Sequence, residues 1–332
     1  MKKRNLCFAL ALLTGFILTA AVSADSKPEY VIRLGGEHSQ TSTLTKCWQD
    51  VFIPRVEELT DGKVTVDFYP DGVLGGNAQM AEQTQQGQLN MMYISDVSAS
   101  LSPDKMNIIS LPFLFSSEEH FDEVVDGEIG QKIMSDLPSV GLHPFFFLEN
   151  GFREMTNNKK PINSLADVNG LKMRVTDSEV MINLFQNLGA NTVVMQFSEL
   201  YSALSTGTVD GQENAYSMIV SSKFYEVQKY VAETNHVMGY FIIVANEDWF
   251  SSLPEEYQEA ITQAAKETSE YQRKMHREGI EADKQTCLDN GMELTTPDLT
   301  EFKEAVQPVY DSFFEKYPDS REIVEEIQAL AE

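Results

Sequence analysis

Apolar positions recur along this chain with two periods, and the switches between them mark its elements. Residues 30–34 read as a strand that ends at Gly35-Gly36, and Val64, Val66 and Phe68 alternate with polar neighbours as a second strand. Between them, Leu44, Trp48, Val51 and Phe52 fall on one side of a helix over 42–59, stopped by Gly62. Pro70-Asp71-Gly72 turns the chain, a helix over 77–86 follows, Gly87 ends it, and 89–94 is a third, buried strand. Strand, helix, strand, helix, strand is the alternation that builds a parallel sheet.

A second alternation begins at Asn150-Gly151. It reads as a strand over 151–156, a short helix opened by the capping-box-like Ser164-Leu165-Ala166-Asp167, and a strand over 171–175. A helix capped by Asp177 or Ser178 then carries the stripe Val180, Met181, Leu184, Phe185 and Leu188. A strand over 191–195, a helix over 199–206 capped by Ser198, and a loop over 210–214 complete the unit. Residues 241–245 are again strand-like. From Pro254 to about Asn290 runs a proline-free helical pattern, long enough to brace two lobes, and a helical stretch after Leu299 places Phe302, Val306, Val309, Tyr310 and Phe313 on one side. The pattern is α/β throughout.

The start of the chain has its own logic. Met1-Lys2-Lys3-Arg4 is basic, 6–22 is an apolar run, and Val22-Ser23-Ala24 offers small residues at a cleavage site. That order predicts a secretory signal peptide removed after Ala24. The run is short for a membrane span, which needs about 20 apolar residues. The remaining length exceeds what one core usually supports, so two domains are expected.

Charge narrows the function. Of the 332 residues 51 are acidic and 25 basic, a net charge of −26, and the leader holds three of the basic residues and none of the acidic ones. Such a field repels nucleic acid and anionic lipid surfaces. Any anion site is then a local basic exception. Cys47 and Cys287 are expected as unpaired thiols, and the five histidines are scattered, so no metal-ligand spacing is present and no cofactor is expected. The motifs of nucleophile elbows, P-loops, zinc proteases and dinucleotide folds are absent from the sequence.

In open parallel sheets, ligands gather beyond the carboxyl ends of the strands. Arg174 ends the strand over 171–175, Phe197 follows the strand over 191–195, and Asn214 lies in the loop after Val209. A planar guanidinium can bind both oxygens of a carboxylate, an amide can donate and accept, and an aromatic ring supplies an apolar wall. Arg153, at another strand end, is a second basic candidate. Position alone leaves a surface ion pair open for Arg174.

These residues sit within longer matches. Gly151-Phe152-Arg153, Asp167 through Val175, Phe197-Ser198-Glu199-Leu200-Tyr201, Val209 through Asn214 and Phe224 through Tyr230, with Tyr69-Pro70 and Leu74-Gly75 upstream, resemble the substrate-binding subunits of tripartite ATP-independent periplasmic (TRAP) transporters. The resemblance spans nearly all of the chain beyond the leader. It implies a two-lobed periplasmic binding protein fold, each lobe a mostly parallel sheet flanked by helices, with a long helix spanning both. The expected division is 1–24 leader, 25–150 plus about 240–279 for one lobe, and 151–239 plus about 280–332 for the other. The resemblance assigns Arg174 to the ligand carboxylate, with Arg153, Asn214 and Phe197 beside it and Glu37 and Ser95 from the first lobe at the distal part of the ligand. Ala215 stands where many members have proline. A carboxylate at Glu37 tilts the expected ligand from dicarboxylates toward a hydroxylated monocarboxylate such as a sugar acid. The implied partners are that small carboxylate and the TRAP membrane permease subunits, the implied location is the periplasm, and the implied state is a monomer. The alternatives are a periplasmic enzyme acting on a sugar acid and a ligand-sensing receptor subunit.

Overall fold

The computed structural model describes residues 27–95 and 104–331. The predicted leader and its cleavage site after Ala24 lie outside them. Among the described residues, eleven strands numbered in chain order form two sheets. In the first, β1 (Tyr30–Gly35), β2 (Val64–Tyr69), β3 (Met91–Ser95), β4 (Leu142–Phe152) and β10 (Met238–Asn246) are ordered β2-β1-β3-β10-β4. In the second, β5 (Glu154–Asn157), β6 (Lys172–Val175), β7 (Asn191–Val194), β8 (Gly211–Asn214), β9 (Tyr230–Ala232) and β11 (Glu293–Thr295) are ordered β11-β9-β5-β8-β6-β7.

Each sheet is mixed. The helix-connected strands pair in parallel, β1 with β2 and β3, and β6 with β7 and β8. The strands that carry the chain between sheets pair antiparallel, β10 with β3 and β4, and β5 with β8 and β9. The chain therefore crosses twice, at Arg153 between β4 and β5 and over 233–237 between β9 and β10.

A third crossing is the helix Glu255–Asp289. Near its start Tyr257, Ile261, Ala264 and Ala265 pack with Trp48, Phe52 and Ile243 of the first lobe. Near its end Cys287 packs with Leu200, Ile219 and Val231 of the second. The C-terminal helices also touch both lobes. Phe302, Val309 and Phe313 share a core with Leu184 and Phe185, while His120 Nε2 lies 2.8 Å from the Ile327 carbonyl. Cys47 and Cys287 are buried free thiols.

Local differences from the sequence pattern have physical causes. The helix expected over 42–59 is interrupted by a wide turn, Trp48–Phe52, just before Pro54, whose missing N–H cannot continue the ordinary ladder. The helix after β7 starts at Phe197, with Gln196 rather than Ser198 as its N-cap. The residues expected as a strand over 151–156 are divided: Gly151 and Phe152 end β4 and belong to the first sheet, and β5 begins only at Glu154. The loop expected over 210–214 is largely the buried strand β8. Its Gly-Gln-Glu-Asn sequence shows no apolar alternation because its polar side chains are buried and find distant partners: Gln212 donates to Thr156 Oγ1 at 3.0 Å, and Glu213 pairs with Arg153.

Candidate functional site

A cavity lies between the sheets, lined from the first by Glu37, His38, Asn77, Ser95 and Phe241 and from the second by Arg174, Thr176, Asp177, Met195, Gln196, Phe197, Asn214 and Met218, with Asn150 and Arg153 at the crossing. All six residues singled out in the sequence are among these.

The wall of the second sheet is basic. Arg174 sits on β6, 2% exposed, and its Nε and Nη2 donate to the Met195 carbonyl at 3.0 and 2.8 Å. That carbonyl follows the neighbouring strand β7, so the sheet itself sets the plane of the guanidinium. Arg153 is held harder. Its Nε and Nη2 grip the Glu213 carboxylate, the Nη2 contact at 2.9 Å, and Nη2 also donates to the Glu213 carbonyl at 2.9 Å. His236 Nε2 lies 3.3 Å from the same carboxylate. Burial alone opposes ionisation of Glu213, but the Arg153 charge and the hydrogen bonds from His236 and Arg153 outweigh it and hold the carboxyl at about 2. Asn214 ends β8, and Phe197 opens the following helix with its ring 5.5 Å from His38 across the cleft.

The wall of the first sheet is acidic and dipolar. Glu37 follows β1 and accepts from the main-chain N–H of Asn77 at 3.1 Å, at the start of the helix Asn77–Gln85. Burial pushes its carboxyl up to about 7, against that hydrogen bond and the nearby Arg174 charge. Asn77 Oδ1 in turn accepts from the Ser95 main-chain N–H at 3.1 Å and lies 3.3 Å from its hydroxyl. Ser95 is therefore a member of a hydrogen-bonded set built around Asn77.

His38 is neutral, lowered to about 3 by burial. The Tyr93 hydroxyl accepts from the Glu37 and His38 main-chain N–H groups at 3.1 and 3.2 Å, so its own proton goes to His38 Nδ1, 2.6 Å away. That leaves the imidazole proton on Nε2. His38 also packs against the Phe241 ring at 5.4 Å.

Sequence reasoning missed His38, Asn77, Asn150, Thr176 and Asp177. Thr176 and Asp177 directly follow β6, so the strand-end rule that selected Arg174 also reaches them. Asn150 carried a signal too, since it opens the Asn-Gly pair read as the start of the second unit, three residues before the crossing at Arg153. Asn77 and His38 are positioned by tertiary contacts that no short motif announces.

A wider surface groove runs between the helix Glu255–Asp289 and the helices Glu118–Val125 and Glu128–Met134, but its arginines are committed. Arg273 pairs with Asp122 and Asp126, and Arg277 with Asp122 and Glu149. Among the described residues no group of three or more His, Cys, Asp or Glu side chains is placed to hold a metal ion, and no helix is long and apolar enough to cross a membrane.

Known proteins share this architecture. A family model for bacterial extracellular solute-binding proteins, family 7, matches residues 34–317. The 2,3-diketo-L-gulonate-binding periplasmic protein of Escherichia coli is 34% identical, covering 99% of this chain and 100% of that protein. The crystal structure of a sugar acid binding protein from Advenella mimigardefordensis in complex with galactonate superposes with a TM-score of 0.86 at 37% identity, covering 91% of this chain and 97% of that one. A TRAP periplasmic solute-binding protein from Roseobacter denitrificans with bound β-D-glucuronate gives 0.86 at 32% identity, over 90% and 99% of the two chains. The protein belongs to family 7 of the bacterial extracellular solute-binding proteins, the substrate-binding proteins of TRAP transporters.

Proposed function

We propose that the protein captures a sugar acid, an aldonate or uronate, in the cleft between its lobes and delivers it to TRAP permease subunits. The observation that carries this reading is the polarity of the cavity: a buried guanidinium on one wall and, on the other, a partly buried carboxyl whose titration is raised toward neutral pH. The Arg174 fork takes the acid group, with Asn214 and Arg153 beside it and the Phe197 ring as an apolar wall. Glu37 suits a hydroxyl, which can donate to its oxygens or accept its proton. It penalises a second carboxylate, which has no proton to give an ionised Glu37 and is tolerated only at the cost of keeping Glu37 protonated.

The galactonate and glucuronate bound by similar proteins support the same class of ligand. The periplasmic names of curated relatives support a periplasmic location, with the leader removed after Ala24. The six proposed contact residues come from one chain, so a monomer suffices. The lobe boundaries near 150, 240 and 279 belong to the proposal, supported by β4 and β10 remaining in the first sheet and by the helix that reaches both cores.

Thermal-shift screening against sugar acids, keto acids, amino acids and C4-dicarboxylates tests the reading, because a ligand that binds only the folded state raises its stability. Sugar acids are expected to give the large shifts and to be recovered unchanged by mass spectrometry. Shifts with C4-dicarboxylates alone would overturn the ligand class, and turnover would overturn the binding role.

A further inference from the structure

Asn150 sits where the chain leaves the first sheet. Gly239 pairs with Gly151 and Tyr240 with Glu149, so Asn150 is the extra residue of a bulge in β4. Both neighbours are held from behind by the long helix. The Glu149 main-chain N–H and carbonyl bond Gln272 at 2.9 and 2.8 Å, and Gly151, at φ +92°, lies directly against the His276 ring. A Cβ at Gly239 would approach within 2.9 Å of Asn150 Nδ2 and 3.3 Å of Arg153 Nη1, so the glycine leaves room for both side chains to pass the facing strand in their present positions.

The orientation of the Asn150 amide follows from its partner. Asn214 Oδ1 accepts the Ala215 main-chain N–H at 3.1 Å, and since an N–H only donates, that atom is oxygen. The Asn150 atom 3.2 Å from it is therefore the donor Nδ2. Asn150 Oδ1 then points elsewhere, and it is buried with no hydrogen-bond partner in a residue that is 3% exposed and lines the cavity. A buried carbonyl oxygen left unpaired costs about 1–3 kcal/mol, so its position calls for a donor from outside the chain.

We propose that Asn150 Oδ1 accepts a hydroxyl of the bound acid, so that the ligand is held by the bulged crossing strand as well as by the two walls. The unpaired atom only accepts, which selects against an acid group at that point of the ligand and in favour of an O–H. Because the residue is also the bulge, the contact ties occupancy of the cleft to the strand that leads from one sheet to the other. The assignment rests on the sugar-acid reading for the presence of hydroxyls on the ligand.

The test is calorimetric titration of wild type and Asn150→Ala with D-galactonate or D-glucuronate, whichever binds, and with its single-deoxy analogues. At one hydroxyl position, removal is expected to weaken wild type about tenfold and Asn150→Ala less than about twofold, with equal losses in both proteins at every other position. A purely structural asparagine leaves the losses equal at all positions, and that result overturns the assignment while the sugar-acid reading stands. Failure of every hydroxylated acid to bind wild type overturns both. Should the alanine variant not fold, Asn150→Ser is judged by the same criterion.

Discussion

On the wall supplied by the second sheet, charge is fixed before any ligand arrives. Arg174 is bonded to a strand carbonyl and Arg153 to a carboxylate that the same sheet buries. On the wall supplied by the first sheet, the acidic group keeps an ordinary hydrogen bond to a helix start, and burial brings its titration to about pH 7. One wall is thus permanently charged, and the other carries a carboxyl that exchanges its proton near neutral pH. Preorganised cations lose little on meeting an anion, since their orientation is already set. A carboxyl near its titration point can present either an acceptor or a donor, which suits the variable stereochemistry of sugar hydroxyls.

The largest test of this contrast removes the support beneath the basic wall. Glu213→Gln leaves Arg153 without its countercharge, and breaking a buried pair of this kind costs about 3–5 kcal/mol, read by urea unfolding at pH 7. The Glu213 carboxyl is depressed in the folded protein, so its stabilisation is present above about pH 4.5 and is lost as pH falls toward about 2; the variant should lack that acid-side loss. Next comes the acid contact itself. Arg174→Ala is expected to weaken sugar-acid binding by about 3 kcal/mol, roughly a hundredfold in Kd by calorimetry, and unchanged affinity would remove Arg174 from the site.

Smaller effects come from the other wall. Glu37→Gln should raise affinity for a C4-dicarboxylate about tenfold relative to a sugar acid. It should also flatten a pH trend. The Glu37 pKa is raised on folding, so between about 4.5 and 7 the folded form binds more protons and unliganded stability falls as pH rises. A calorimetric series across that window in wild type and variant separates this contribution from those of other buried carboxyls. Smallest is Phe197→Ala. Its ring touches His38 across the cleft and Phe224 within its own lobe, contacts worth about 1 kcal/mol, so ligand release should quicken about fivefold in stopped flow.

The same two walls show what a sequence makes legible. Arg174, Phe197 and Asn214 were within reach because each lies at a strand end in a unit whose alternation is plain. Strands β1, β2, β3 and β10 of the first sheet and β6 and β7 of the second were readable for the same reason. The crossing was not. β4 runs 11 residues and was not recognised over 142–149, because its half-buried His143 and Pro144 and its buried Glu149 break the apolar pattern that marks a central strand. β8 was read as a loop for a related reason: its Gln212 and Glu213 are buried with partners that lie 56 and 60 residues away in sequence. Polar residues satisfied by distant neighbours look like surface when read in one dimension.

Gly239 makes the point in a different currency, that of shape. Its missing side chain is the clearance that lets an amide and a guanidinium pass close beside the strand. A methyl in its place would crowd both side chains and oblige the Asn150 amide to shift. Substitutions on either wall can retune which acid is chosen one contact at a time, whereas a side chain at this position would press on two polar groups of the cavity at once.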